Sequence, residues 1–307
     1  MQGLWMVASA FLFATMGVCV KYASASFNSA ELVFWRGIVG VVFVGLLARR
    51  QGVSLTTRYP GMHLWRSVIG TLSLGAWFYA IAHSPLATAM TLNYMSSIWI
   101  ATFLVGGSLL AWVPMPGRDG RVPLPPLQGV LALTVLVGFV GVVLILKPDM
   151  DQTQGFAGIM GLLSGLTAAF AYLQVIALSR IGEPETRTVF YFALGAAVMG
   201  GLWMLIVGLS PWNWLHALWL VPIGVLAALG QLCMTRAYAQ ATTQAGTLVV
   251  ANLQYSGIVF ASIYSVLLFG DAIDLAGVVG MGLIIASGVV ATALLQRTVP
   301  TAPPEEH

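Results

Sequence analysis

Ten stretches of nearly unbroken apolar residues follow one another along the chain, separated by short polar interruptions: Gly3 to Val20, Glu31 to Ala48, His63 to Ala82, Leu86 to Leu110, Leu127 to Leu146, Gly155 to Ser179, Thr188 to Leu209, Leu215 to Cys233 and a little beyond, Ala245 to Phe269, and Leu275 to Leu295. Each is close to the about 20 residues a helix needs to cross the hydrocarbon of a bilayer. A membrane β-barrel would instead show alternating segments of about ten residues. The pattern predicts an all-α integral membrane chain of ten transmembrane helices.

The stretches echo one another across the two halves. Trp77 to Ala101, WFYAIAHSPLATAMTLNYMSSIWIA, returns in weaker form as Arg236 to Ala261, RAYAQATTQAGTLVVANLQYSGIVFA. Laid end on end, Tyr94 falls on Gln254 and Ser96 on Ser256. Gly3 to Gly17 resembles Gly158 to Tyr172, with Ser9 on Ser164, and Gly129 to Pro148 resembles Gly277 to Arg297. Five helices are repeated, and five is odd, so the second copy enters the membrane from the opposite side, an inverted-topology repeat of the kind that builds secondary transporters. In the sixth stretch Gly155, Gly158, Gly161 and Gly165 form one stripe, a device for close helix packing or for a sliding surface. Trp112 to Leu127 holds five prolines and reads as a stiff connector.

Composition fits the same setting: 59% of the 307 residues are hydrophobic and 7% charged, where a soluble domain carries about a quarter charged residues. The first stretch follows only Met1 and Gln2, so it reads as a retained helix rather than a cleaved signal. Cys19 and Cys233 lie inside apolar stretches and offer neither a disulfide framework nor a metal spacing. With the N-terminus cytoplasmic, the inner ends and loops hold Arg49, Arg50, Arg58, Arg66, Arg118, Arg121, Arg180, Arg187, Arg236 and Arg297, against Lys21 and Lys147 outside. This asymmetry predicts both termini in the cytoplasm and the loop Lys147 to Gln154 outside.

Polar side chains in hydrocarbon cost several kcal/mol when unsatisfied, so polar helix faces should turn inward. Thr91, Tyr94 and Ser97 share one face of the fourth helix; Gln231, Thr235 and Tyr238 share one face of the eighth. Tyr94 and Gln254, from matched places, are the leading candidates for one central cavity, with Asn93, Gln231, Thr235 and Tyr238 beside them and Trp77 and Tyr172 as aromatic walls. Each also has a plainer reading as packing or interhelical hydrogen-bond glue. Arg36, one and a half turns past Glu31, is expected to snorkel to the outer headgroups as an anchor. Lys21 reads as interfacial and His83 as a solvated turn residue. The midplane is then free of basic groups, which disfavours phosphorylated substrates and favours neutral or zwitterionic ones.

The runs GLWMVASAFLFATMGVCVKY, SAELVFWRG and NYMSSIWIA, and in the second half RAYAQA followed by a helix ending LLFGD, resemble the drug/metabolite transporter superfamily, and within it the ten-helix EamA-type branch. The resemblance spans about residues 3 to 297. It implies a 5+5 inverted-topology repeat around a central cavity, with residues 1–148 as the first EamA-like repeat and 149–307 as the second, carrying a short cytoplasmic tail. It also implies export of amino acids, aromatic ones included, or of related metabolites across a bacterial inner (plasma) membrane. Asn93 and Tyr94 match an Asn-Tyr pair of the family's aromatic amino acid exporters, whereas Ser96 stands where an aromatic residue is expected.

Enzyme chemistry lacks a constellation: there is no H-E-x-x-H, no paired D-x-x-D, and Ser164 sits in G-L-L-S-G rather than G-x-S-x-G. The expectation is a monomeric transporter whose partners are a small-molecule substrate and the lipid bilayer, with no nucleic acid, cofactor or metal. Exporters of purines, nucleosides or drug-like compounds, and a channel or scaffold, are the competing readings. All acidic residues fall in loops or at helix ends, so a substrate gradient alone is expected to drive transport.

Overall fold

A computed structural model describes residues 2–100, 102–103, 137–138, 140–141, 144 and 152–298. Every regular element among them is helical: α1 (Gln2–Ala23), α2 (Ser29–Gln51), α3 (Pro60–His83), α4 (Leu86–Tyr94), α5 (Gln152–Arg180), α6 (Glu185–Val207), the single turn α7 (Trp214–Ala217), α8 (Leu220–Gln240), α9 (Gln244–Leu253), α10 (Ser256–Phe269) and α11 (Leu275–Thr298). Six segments of the described residues are long and apolar enough to cross a membrane. The Trp112 to Leu127 connector, and most of the Leu127 to Leu146 stretch and of the Lys147 to Gln154 loop, lie outside the described residues.

Local chemistry sets several boundaries. Asn28 caps α2: its side chain accepts from Glu31 N while the Glu31 carboxylate accepts from Asn28 N, a reciprocal capping box. Pro60 opens α3, where a missing N–H costs nothing. Thr243 caps α9 by accepting from Gly246 N. Along α3 the polar residues His63, Arg66, Ser67, Thr71 and Ser73 are all buried, so its polar side faces protein. Large apolar side chains such as Leu205, Ile206 and Leu267 are exposed, as expected of a surface that meets lipid.

Two predicted helices are interrupted. The fourth stops at Tyr94 and resumes from Ser96 to Ile100; the ninth stops at Leu253 and resumes at Ser256. In both places the backbone tightens into three-residue turns: Met95 N donates to Leu92 O and Gln254 N to Ala251 O, each at 3.3 Å. These are the positions that the sequence echo lays over each other.

The two halves interdigitate. α1 packs on α8 and α5 on α3; α1 also meets α10 and α5 meets α4; α2 touches α8 and α6 touches α3. The pair α2 and α6 is the tightest seam, because glycines let the backbones meet. A Cβ on Gly37 would stand 2.7 Å from Ala197 Cα, and one on Gly200 would stand 2.6 Å from Phe34 N. Both tips of this pair are tied. At one, Glu31 accepts from Ser210 N (2.9 Å) and Ser210 Oγ (2.6 Å). At the other, Thr57 Oγ1 donates to Glu183 (2.7 Å), Arg187 donates to Glu183 and to Ser54 O (2.8 Å each), and the Tyr191 hydroxyl donates to Leu55 O (2.8 Å). In the glycine stripe, Gly165 brings α5 onto the α4 backbone, with a Cβ there only 2.6 Å from Leu92 O.

Candidate functional site

Where α1 to α6 and α8 converge they leave a cavity of about 40 Å³. Its lining comes from Phe13 on α1, Arg36 on α2, Arg66, Gly70, Ser73, Leu74 and Trp77 on α3, Asn93 and Tyr94 on α4, Ala168, Ala171 and Tyr172 on α5, Phe192 on α6, and Gln231 on α8. A water needs roughly 10–15 Å³ of such space and a metabolite site spans several hundred. This conformation therefore holds a few waters at most, and a substrate requires the surrounding helices to part.

Hydrogen bonds fix one wall. Ser73 Oγ donates to Ser164 O (2.8 Å), Asn93 Nδ2 donates to Ser164 Oγ (2.9 Å), and Ser164 Oγ donates to Gly161 O (2.6 Å), so α3, α4 and α5 are tied at the cavity edge. Ser9, which the echo matches to Ser164, donates to Gly230 O (2.8 Å) across the α1–α8 seam. Trp77 meets Phe13 edge to face at 6.4 Å. The Tyr94 hydroxyl packs against Gly257 of α10 and has no hydrogen-bond partner.

Of the residues singled out from the sequence, Trp77, Asn93, Tyr94, Tyr172 and Gln231 come together around this cavity. Thr235, Tyr238 and Gln254 are buried but do not line it. Gln254 Nε2 donates to the Tyr238 hydroxyl (3.0 Å), and the Tyr238 ring lies 6.3 Å from that of Tyr172. These residues form a layer behind the wall. Depth in the membrane, which the echo matches, does not set the side of the helix on which a residue falls.

The arginines differ most from expectation. Arg36 is 4% exposed and does not reach headgroups; its guanidinium carbon stands 5.0 Å from the Phe192 ring centroid, at the cavity. Arg66, assigned from sequence to an inner helix end, is 2% exposed and lies 3.9 Å from the same centroid. The expectation of a cavity free of basic groups is corrected. No carboxylate among the described residues pairs with either arginine. Arg66 Nη2 donates to Gln231 Oε1 (3.2 Å), while Arg36 Nε and Arg66 Nε and Nη1 are buried without partners. One sequence signal was present: Gly70, one turn beyond Arg66, leaves the room its guanidinium fills, since a Cβ there would collide with Nη1 and stand 2.7 Å from Phe192 Cε2.

Comparison with known proteins places these features among membrane transporters. A model of the EamA-like transporter family matches residues 2–106. The pseudopaline exporter of Pseudomonas aeruginosa is 32% identical over 298 residues, covering 95% of this chain and 94% of its own. A riboflavin transporter of Rhizobium johnstonii is 30% identical over 241 residues, covering 78% of this chain and 74% of its own. A solved crystal structure superposes with a TM-score of 0.67 at 17% identity, over 97% of this chain and 99% of that one, a likeness of fold.

Proposed function

The chain belongs to the EamA-like transporter family, a family of membrane transporters rather than enzymes, and from that premise we propose that it is a secondary transporter working by alternating access. Its substrates are amino acids, aromatic ones included, and related small metabolites, exported across a bacterial inner membrane. The observation that carries this reading is the cavity, mostly apolar with a few polar and cationic side chains, where helices of both halves converge. Relatives named for pseudopaline and riboflavin support metabolite-sized cargo.

The architecture proposed is ten helices in two inverted repeats, residues 1–148 and 149–307, with both termini cytoplasmic. Support comes from the packing pairs. Exchanging the halves turns α1 on α8 into α5 on α3, α1 on α9 into α5 on α4, and α2 on α8 into α6 on α3, and each partner pair is present. The matched interruptions beside Tyr94 and Gln254 support it as well, since discontinuous helices mark the binding region of many inverted-repeat transporters. The excess of arginine on the inner side supports the orientation.

The test is uptake into liposomes reconstituted with purified protein, using labelled phenylalanine and glutamate. Saturable flux that unlabelled substrate competes for is expected. Linear, uncompeted flux, or no flux of any amino acid, refutes the carrier reading.

A further inference from the structure

The unpartnered hydrogen-bonding groups at the cavity are mostly donors, beside a Tyr94 hydroxyl that can donate or accept. Arg36 Nε, Arg66 Nε, Arg66 Nη1 and Trp77 Nε1 are all donors, all buried, and all without partners. The side-chain acceptor known to be engaged there, Gln231 Oε1, already serves Arg66. Phe192 offers its ring to both guanidinium groups, yet a cation–π contact contributes about 0.5–2 kcal/mol, whereas removing one cation from water costs several kcal/mol. Two cations facing one ring also repel each other. An arrangement of this kind is completed by a ligand that brings oxygen acceptors and negative charge. Arginine's planar fork matches a carboxylate with two parallel hydrogen bonds.

We propose that this cavity is an anion site in which Arg36 and Arg66 each take one carboxylate of a small dicarboxylate metabolite, an amino acid with an acidic side chain being the simplest example. The two guanidinium carbons lie no farther apart than the sum of their 5.0 and 3.9 Å distances to the Phe192 centroid, a span that a short dicarboxylate bridges. Phe192 then packs beside the bound molecule, and Trp77 donates to one of its oxygens. The proposal rests on the transport reading for the cavity's accessibility, but it names a charge class that reading leaves open and departs from a neutral or zwitterionic substrate.

L-glutamate and L-glutamine form the decisive pair of probes, because they share a shape and differ by one carboxylate. With the purified full chain in detergent, glutamate should raise the melting temperature and bind at least tenfold more tightly than glutamine. Arg36→Gln and Arg66→Gln should each weaken glutamate binding at least tenfold while leaving the unliganded melting temperature equal or higher, since each removes an uncompensated buried cation. A structural arginine would show the reverse, a lower melting temperature. Equal affinity for the two probes, tighter binding of inorganic phosphate than of glutamate, or binding of no probe overturns the proposal, and none of these results depends on the variants folding. In proteoliposomes, saturable flux of neutral amino acids with no preference for glutamate over glutamine keeps the carrier reading and removes this one. Arginine-dependent glutamate binding without flux keeps this one and removes the carrier reading.

Discussion

Replacing Glu183 with alanine tests whether the tie between the α2–α3 loop and the α5–α6 turn holds the fold together. Glu183 is 8% exposed and accepts from Thr57 Oγ1 and Arg187 Nη1, with His63 Nε2 at 3.8 Å. A hydrogen bond to a charged group contributes about 1.5–3 kcal/mol when buried. The Arg187 side chain is 16% exposed, so its share moves toward the about 0–1 kcal/mol of a solvated pair. The expected loss for Glu183→Ala is about 2–4 kcal/mol, or roughly 3–6 °C in melting temperature for a chain of this size. Burial by itself favours the protonated acid, but the hydrogen bonds from Thr57 and Arg187 and the nearby positive charge outweigh it, and the Glu183 pKa is lowered. A carboxyl with a depressed folded pKa stabilises the fold fully above its unfolded value, near 4.5 here, and that contribution disappears as pH falls through the lower folded value. The gap between parent and variant in detergent, followed by tryptophan fluorescence on heating, should be full at neutral pH and should narrow as pH falls below the unfolded value and through the lower folded one. A gap of about 1 °C or less at neutral pH, or one that persists unchanged in acid, refutes this account.

Other expectations concern the cavity edge, the orientation and the driving force. Asn93→Ala and Ser164→Ala should each cost about 1 kcal/mol, and the double variant should cost less than their sum because the two share the 2.9 Å hydrogen bond; strict additivity in thermal melts would deny that bond. Cysteine placed at Asp151 should react with an impermeant reagent added outside intact cells and cysteine at Arg118 should not; external labelling at Arg118 would invert the topology. In proteoliposomes at equal, buffered pH, a substrate gradient should suffice for flux, and an absolute need for an imposed pH gradient would show that a proton is coupled.

The helical architecture was legible because hydrophobic length depends on composition alone. The interruptions at Met95 and at Gln254–Tyr255 were not, since no proline or glycine in NYMSS or NLQYS marks them. Only their matched register hinted that something happens there. Asn93 and Tyr94 could be picked out because polar groups among alanines and leucines must face protein. Arg36 and Arg66 were misread for a physical reason: a long side chain near a helix end can snorkel or fold inward, and what decides is Phe192, which arrives from a helix far away in sequence. Tyr238 and Gln254 satisfy each other, a pairing that no spacing within one helix reveals.

The reciprocal seating of Gly37 on Ala197 and of Gly200 on Phe34 has a mechanical consequence. With no side chain between the backbones, α2 and α6 cannot slip along each other by changing rotamers. Glu31 with Ser210 at one tip, and Glu183 with Thr57 at the other, keep them from separating. A pair locked along its length and at both tips behaves as a hinge pin. In the alternating-access cycle proposed above, such a pair is the fixed axis about which the other helices would turn, so that parting on one face of the membrane would go with closing on the other.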